Sequence, residues 1–195
     1  IHSPSSFESH CALPVDRVGG GVFKGIAQGP AQKVTMDMVT DWSQVKALQK
    51  KHPSAKNNMR FIKGTDPNKN LRRVWKACAQ LGCHLAIVGH ETDELKSLKA
   101  NRMLSHSIHT NVSDDELEQL YLHCDAVVFV STHEGFGMPL IEAQILGKPC
   151  VTSALEPMKS NAGDGALLVD PMDPEAIRSA LEQLLTDREL SEAIV

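Results

Sequence analysis

A short apolar run, followed by a glycine-bracketed turn and an apolar helical pattern, constrains this chain more than any other stretch. Residues 126–130, Ala-Val-Val-Phe-Val, are continuous and β-branched in the manner of a strand buried on both faces of a parallel sheet. Ser131, Thr132, His133, Glu134, Gly135, Phe136, Gly137, Met138, Pro139, Leu140, Ile141, Glu142 and Ala143 then carry the chain from that strand into a helix. Glycines let the backbone come close to a ligand, and a helix start offers unpaired N–H groups at the positive end of its dipole. One carboxylate, Glu134, sits in the loop, and another, Glu142, sits eight positions on along the helix. That arrangement suits a polyhydroxylated ligand that also carries phosphate. A strand-to-helix turn with two solvated glutamates is the plainer alternative.

The segment resembles the E-G-F-G-x-P-x-x-E signature of retaining glycosyltransferases of the GT-B fold, the group that includes sucrose-phosphate synthases and many bacterial mannosyl- and glucosyltransferases. The resemblance implies that Glu134 faces the donor sugar, that Glu142 holds the nucleotide ribose hydroxyls, and that Gly135, Phe136, Gly137, Met138 and Pro139 line the donor site. A second element is similar to the start of the family's donor domain: Phe61, Ile62, Lys63, Gly64, Thr65, Asp66, Pro67, Asn68, Lys69, Asn70 and Leu71. By that likeness Lys69 neutralises the donor diphosphate and acts with Glu134 at the reacting centre, as stabilisation of a departing anion requires. Many members carry an arginine directly after the strand-end glycine, where this chain has Thr65. The departure leaves the diphosphate to Lys69, Lys63 and the backbone of 135–137. Read without the resemblance, Lys69 is an ordinary lysine at a helix start.

Between these two elements the pattern alternates. Strands are expected over 59–63, 84–88, 105–109, 127–130, 149–152 and 166–169. Helices are expected over 68–81, 91–103, from Ser113 through Cys124, from the signature to Gly147, and over 175–185. Ser113 with Glu116 forms a capping box, and Asp173-Pro174 supplies an N-cap and a first-turn proline. Residues 154–165 read as a polar loop. Strand and helix in alternation imply right-handed crossovers. The expected fold is therefore α/β, a Rossmann-like parallel sheet with helices on both faces, as in the C-terminal half of a GT-B enzyme. Its ligand crevice lies at the carboxyl ends of the strands, where Gly64 and Gly89 close two of them. Ile108 and His109 end another strand; in similar proteins that place lies by the nucleobase, so both belong to the donor site as rim residues.

Residues 1–58 are less periodic and read as a linker and interdomain segment, possessing Gly19, Gly20 and Gly21 as a hinge and one helix over 41–51. The donor-binding domain is expected over 59–195. A second sheet domain needs roughly a hundred residues or more, so the acceptor-binding domain is expected in a longer protein or a partner chain, with this chain as an excised half.

Composition narrows the partners. A net charge of -4 with 23% charged residues leaves no basic footprint for nucleic acid, and no apolar run approaches membrane-spanning length. Cys11, Cys78, Cys83, Cys124 and Cys150 form no Cys-x-x-Cys pair, which favours free thiols in a reducing, cytoplasmic compartment. Peripheral contact with the inner face of a membrane is compatible with that. His106 and His109, three apart on a strand, point to opposite faces, so no metal site is expected. The resemblance implies transfer of a hexosyl group from a UDP-, GDP- or ADP-linked sugar to a hydroxyl acceptor with retention, the nucleoside diphosphate sugar being the substrate and no cofactor being needed. The alternatives are a module that binds nucleotide sugar without turnover, a GT-B-shaped sugar-nucleotide epimerase or phosphorylase, and a purely structural Rossmann-like partner domain.

Overall fold

A computed structural model describes residues 59–100 and 103–195. The expectations for 1–58, including the hinge, the helix over 41–51 and Cys11, lie outside the described residues. Six strands form one parallel sheet: β1 (Met59–Lys63), β2 (His84–Val88), β3 (Ser105–His109), β4 (Ala126–Phe129), β5 (Cys150–Ser153) and β6 (Leu167–Val169). Their order is β3-β2-β1-β4-β5-β6. The order reverses between β1 and β4, so the crossovers before and after that point run in opposite directions and leave a crevice beyond the carboxyl ends of these two strands. Phe61 sits opposite Val127 there.

The helices are α1 (Leu71–Leu81), α2 (Asp93–Ala100), α3 (Asp114–His123), α4 (Met138–Ile145), α5 (Met158–Ala162), α6 (Pro174–Thr186) and α7 (Arg188–Ala193). Side chains alternate across each strand, and two apolar layers result. Ile62, Leu85, Ile87 and Val128 pack beneath Val74, Cys78, Ile177 and Leu181. Phe61, Ala86, Val127 and Phe129 pack against Leu117, Tyr121, Leu140 and Met158 on the other face. Helices therefore cover both faces, as the alternating pattern requires.

Several boundaries differ from expectation for local reasons. The helix expected from residue 68 begins at Leu71; Pro67–Lys69 forms a single 3₁₀ turn, and Asn70 breaks the two with a left-handed φ of 61°. Asparagine tolerates that conformation better than most residues, and its amide donates to Val130 O and Pro171 O at 3.0 and 2.6 Å. The helix expected over 91–103 begins at Asp93, where Thr92 Oγ1 accepts from the Leu95 amide, and is described to Ala100; residues 101–102 lie outside the described residues. The polar loop expected over 154–165 contains α5, because Met158 and Ala162, one turn apart, are both buried against the α4 side of the core. The short α7 was not signalled by periodicity; Asp187 caps it by accepting from the Leu190 amide. The Ser113–Glu116 capping box forms as expected.

Candidate donor-binding site

The residues after β1 and those after β4 meet over the crevice. Gly64 ends β1 with φ of 107°, and its N–H donates to Val88 O at 2.7 Å. A Cβ at this position would stand 2.8 Å from Lys69 Cε and 2.9 Å from Lys69 Cγ. The missing side chain thus lets Lys69 fold back over the strand end. Its ammonium reaches Glu134 Oε1 at 2.6 Å and lies 5.2 Å from the centre of the Phe129 ring. Both side chains are largely buried, at 15% and 12% exposure, so their attraction is screened less than a surface pair's.

Asn68 completes this corner. Its side-chain amide donates to His133 O at 2.8 Å and to Glu134 Oε1 at 3.2 Å, while its backbone carbonyl accepts from the Thr132 N–H at 2.8 Å. The 3₁₀ turn and the signature loop are consequently fastened to each other, and Glu134 is held from two directions. His133 itself is exposed and contributes its backbone carbonyl to this fastening.

Glu142 is the fifth of the eight residues of α4 and is buried. Its carboxylate does not take Lys69. Lys63, the last residue of β1, donates to both its oxygens at 2.7 and 2.8 Å, and the Tyr121 hydroxyl donates to Oε2 at 2.6 Å. Lys69 and Glu142 are therefore neighbours through Lys63 and Gly64 rather than partners. Two lysines at the exit of β1 are thus each paired with their own acid, Lys69 with Glu134 and Lys63 with Glu142.

The signature turn has the form expected for a helix start near a ligand. Gly137 takes φ of 93° and precedes α4, no side chain caps the helix, and Pro139 stands in the first turn, where its missing N–H costs nothing. The Leu140 N–H donates to Gly137 O, and Phe136 O accepts from the Asn161 amide at 2.6 Å, so α5 braces the loop. Phe136 and Met138 are half-buried at its mouth, with Gly135 exposed.

Thr65 is buried and turned away from the Lys69 corner: its hydroxyl donates to His90 O at 2.8 Å. Gly89, with φ of 154°, is its counterpart; a Cβ there would stand 2.8 Å from both Thr65 Cγ2 and Thr65 Oγ1. Thr65 thus ties the exit of β1 to that of β2 and adds no charge to the crevice. Gly89 N–H in turn donates to His109 O at 3.0 Å, joining β3 to the same rim. Ile108 packs on the apolar layer beneath α1, and His109 Nε2 lies 2.8 Å from Ser107 Oγ. His106 is on the opposite face, its ring 4.8 Å from that of Trp75. Among the described residues no cluster of three or more His, Cys, Asp or Glu is placed to hold a metal ion. Nor is any described helix long and apolar enough to cross a membrane. Cys78, Cys83, Cys124 and Cys150 are free and buried, and burial pushes the Cys124 thiol up to about 12.

Four residues in this assembly escaped the sequence reading. Asn68 and Asn70 lie inside the Lys-Asn-Leu element but read as helix. Asn161 lies in the stretch read as loop. Tyr121 is the chain's single tyrosine, on the apolar side of α3; a buried hydroxyl needs a partner, which was the available signal, but nothing local names that partner.

A doubly wound parallel sheet with two lysine–glutamate pairs at its switch point is the architecture of a Rossmann-like ligand-binding domain. The comparisons agree. The family described as "Glycosyl transferases group 1" matches residues 44–195, and the chain belongs to that family. It is 38% identical over 76 residues to the O-antigen chain mannosyltransferase B of Escherichia coli, a match covering 39% of this chain and 20% of that protein's length. In fold it is similar to HepE of Anabaena in complex with UDP and glucose, with a TM-score of 0.65 at 22% identity over 80% of this chain and 46% of the other. It is also similar to the C-terminal domain of a glycosyl transferase group 1 family protein from Francisella tularensis, with a TM-score of 0.58 at 19% identity over 79% and 88% of the two chains. The chain thus spans a minor part of the curated relative it matches.

Proposed function

We propose that this chain is the donor-binding half of a retaining glycosyltransferase that moves a hexosyl group from a nucleoside diphosphate sugar to a hydroxyl acceptor. The observation that carries the reading is the buried Lys69–Glu134 pair at 2.6 Å, set at the switch point beside Glu142. Lysine and glutamate neutralise each other. A diphosphate entering over Gly64 would take the ammonium, and Glu134 would turn to the hydroxyls of the sugar, so that neither charge is left buried alone. As the glycosidic bond breaks, positive charge grows on the sugar ring and negative charge on the departing diphosphate. Lys69, the backbone of 135–137 and the positive end of α4 meet the latter where it develops. Glu142 receives the ribose hydroxyls.

In this reading Gly64, Gly89, Ile108, His109 and the backbone of 135–137 shape the donor site, and Thr65 supports its floor through His90. No metal ion is required, because lysine and amides carry the diphosphate. The mannosyltransferase relative and the UDP-bound neighbour support a hexose and a nucleotide donor. The match to an isolated C-terminal domain supports an acceptor domain elsewhere, on a longer chain or a partner. Four buried, unbridged thiols fit a reducing compartment.

Calorimetric titration with UDP, GDP and ADP tests the reading. At least one should bind, and Lys69→Met should weaken that nucleotide; because it also leaves Glu134 buried without its cation and so costs stability, a melting curve shows that the variant is folded where binding is measured. Absence of binding by all three would overturn it. In the enzyme containing the acceptor domain, Lys69→Met should lower turnover by about 10²- to 10³-fold, the usual cost of removing one group that stabilises a developing anion. The anomeric proton coupling of the product reports retention directly.

A further inference from the structure

We infer that Tyr121 and Lys63 are positioning residues that aim Glu142 at the vicinal diol of a ribonucleotide, Tyr121 as a fixed clamp and Lys63 as an exchangeable one. The inference rests on the reading of Glu142 as the diol acceptor.

A carboxylate offers about four acceptor positions. Tyr121 takes one on Oε2, and Lys63, bridging both oxygens, takes two. A diol presenting two hydroxyls therefore finds about one position open and has to displace a donor to gain the second. The two donors differ in freedom. Tyr121 is fully buried, with its ring edge-on to Phe61 at a centroid distance of 4.5 Å, and rotation would open the core. Burial, with the Glu142 charge beside it, holds its hydroxyl well above the usual tyrosine range, so it stays a donor at every physiological pH. Lys63 is 30% exposed and reaches the carboxylate from the end of β1 on a flexible stem. It can give up one oxygen while keeping the other.

Tyr121 thus fixes Oε2 with respect to the sheet, and the carboxylate presents Oε1 to the crevice. Lys63 keeps the buried acid compensated until the diol arrives. Loss of either donor frees the carboxylate to rotate, and the two-point grip on the diol becomes a one-point contact. One hydrogen bond to a charged group is worth roughly a factor of ten in binding.

The test is the ratio of affinities for UDP and 2′-deoxy-UDP (or GDP and 2′-deoxy-GDP, whichever base binds) by calorimetry. Wild type, Tyr121→Phe, Lys63→Met, Lys63→Arg and Glu142→Gln are compared, with a melting curve for each. We expect wild type to favour the ribonucleotide, Tyr121→Phe and Lys63→Met each to narrow the ratio by about tenfold, and Lys63→Arg to restore most of it. A merely structural role would weaken both nucleotides equally. The inference is overturned if Tyr121→Phe and Lys63→Met keep the wild-type ratio while Glu142→Gln abolishes it. If Glu142→Gln also keeps the ratio, the diol reading of Glu142 falls, and this inference with it. Because Tyr121→Phe keeps the ring and Lys63 is partly exposed, at least one variant folds for the measurement.

Discussion

Replacing Asn70 by alanine should destabilise the domain by about 3 kcal/mol or more, the sum of the two buried hydrogen bonds of its amide nitrogen and a backbone conformation, to which loss of the part-buried bond from Arg73 to its Oδ1 adds. Asn70 is 5% exposed, and its amide spans from Val130 O at the exit of β4 to Pro171 O after β6. Each bond is worth about 1 kcal/mol net, and losing both leaves two carbonyls without that donor in a region closed to water. Alanine would also be forced to φ of 61°, which asparagine tolerates and alanine resists by about 1 kcal/mol. Equilibrium unfolding in urea measures the sum. With a slope of about 2 kcal/mol per molar, the midpoint should fall by about 1.5 M. Asn70→Gly separates the parts: glycine adopts the left-handed conformation freely and should recover about 1 kcal/mol of the loss. A midpoint shift below about 0.3 M for alanine, or glycine proving as damaging as alanine, would refute the reasoning. The consequence reaches the site, because Asn70 directly follows Lys69 and holds the strand end from which Glu134 departs.

Gly64→Ala should lower stability, because an L side chain resists φ of 107°, and should also weaken nucleotide binding, since its Cβ would stand 2.8 Å from Lys69 Cε and drive that side chain off Glu134; calorimetry and melting curves on one variant measure both, and unchanged affinity would count against the packing argument. His84 is held below the usual histidine range, first by desolvation and then by His106 and His109. The unfolded chain therefore takes up its proton more readily than the fold does, so stability should decline as pH falls through about 6.5 and level off below the folded value. His84→Gln should flatten that slope in urea unfolding measured from pH 8 to pH 5, and an unaltered slope would show that other groups dominate.

The sequence alone determined the class of the domain, because periodicity and capping act over a few residues. The run over 126–130 had to be buried on both faces, the alternation of strands and helices had to give a parallel sheet, and the Ser113 capping box formed where it was read. The two charged elements were also legible, since glycine, lysine and glutamate at those spacings carry their chemistry locally. Partner choice was not. Whether Lys69 meets Glu134 or Glu142 depends on how the exits of β1 and β4 lie at the switch point, a relation between segments 65 residues apart. The same holds for Tyr121, whose hydroxyl finds Glu142 across two helices, and for Thr65, which turns to His90 instead of the crevice. Asn70 misled the helix boundary because long-range hydrogen bonds outweighed local helix propensity. Sequence determines which groups are present and which local shapes they favour; only the packed sheet decides which of them touch.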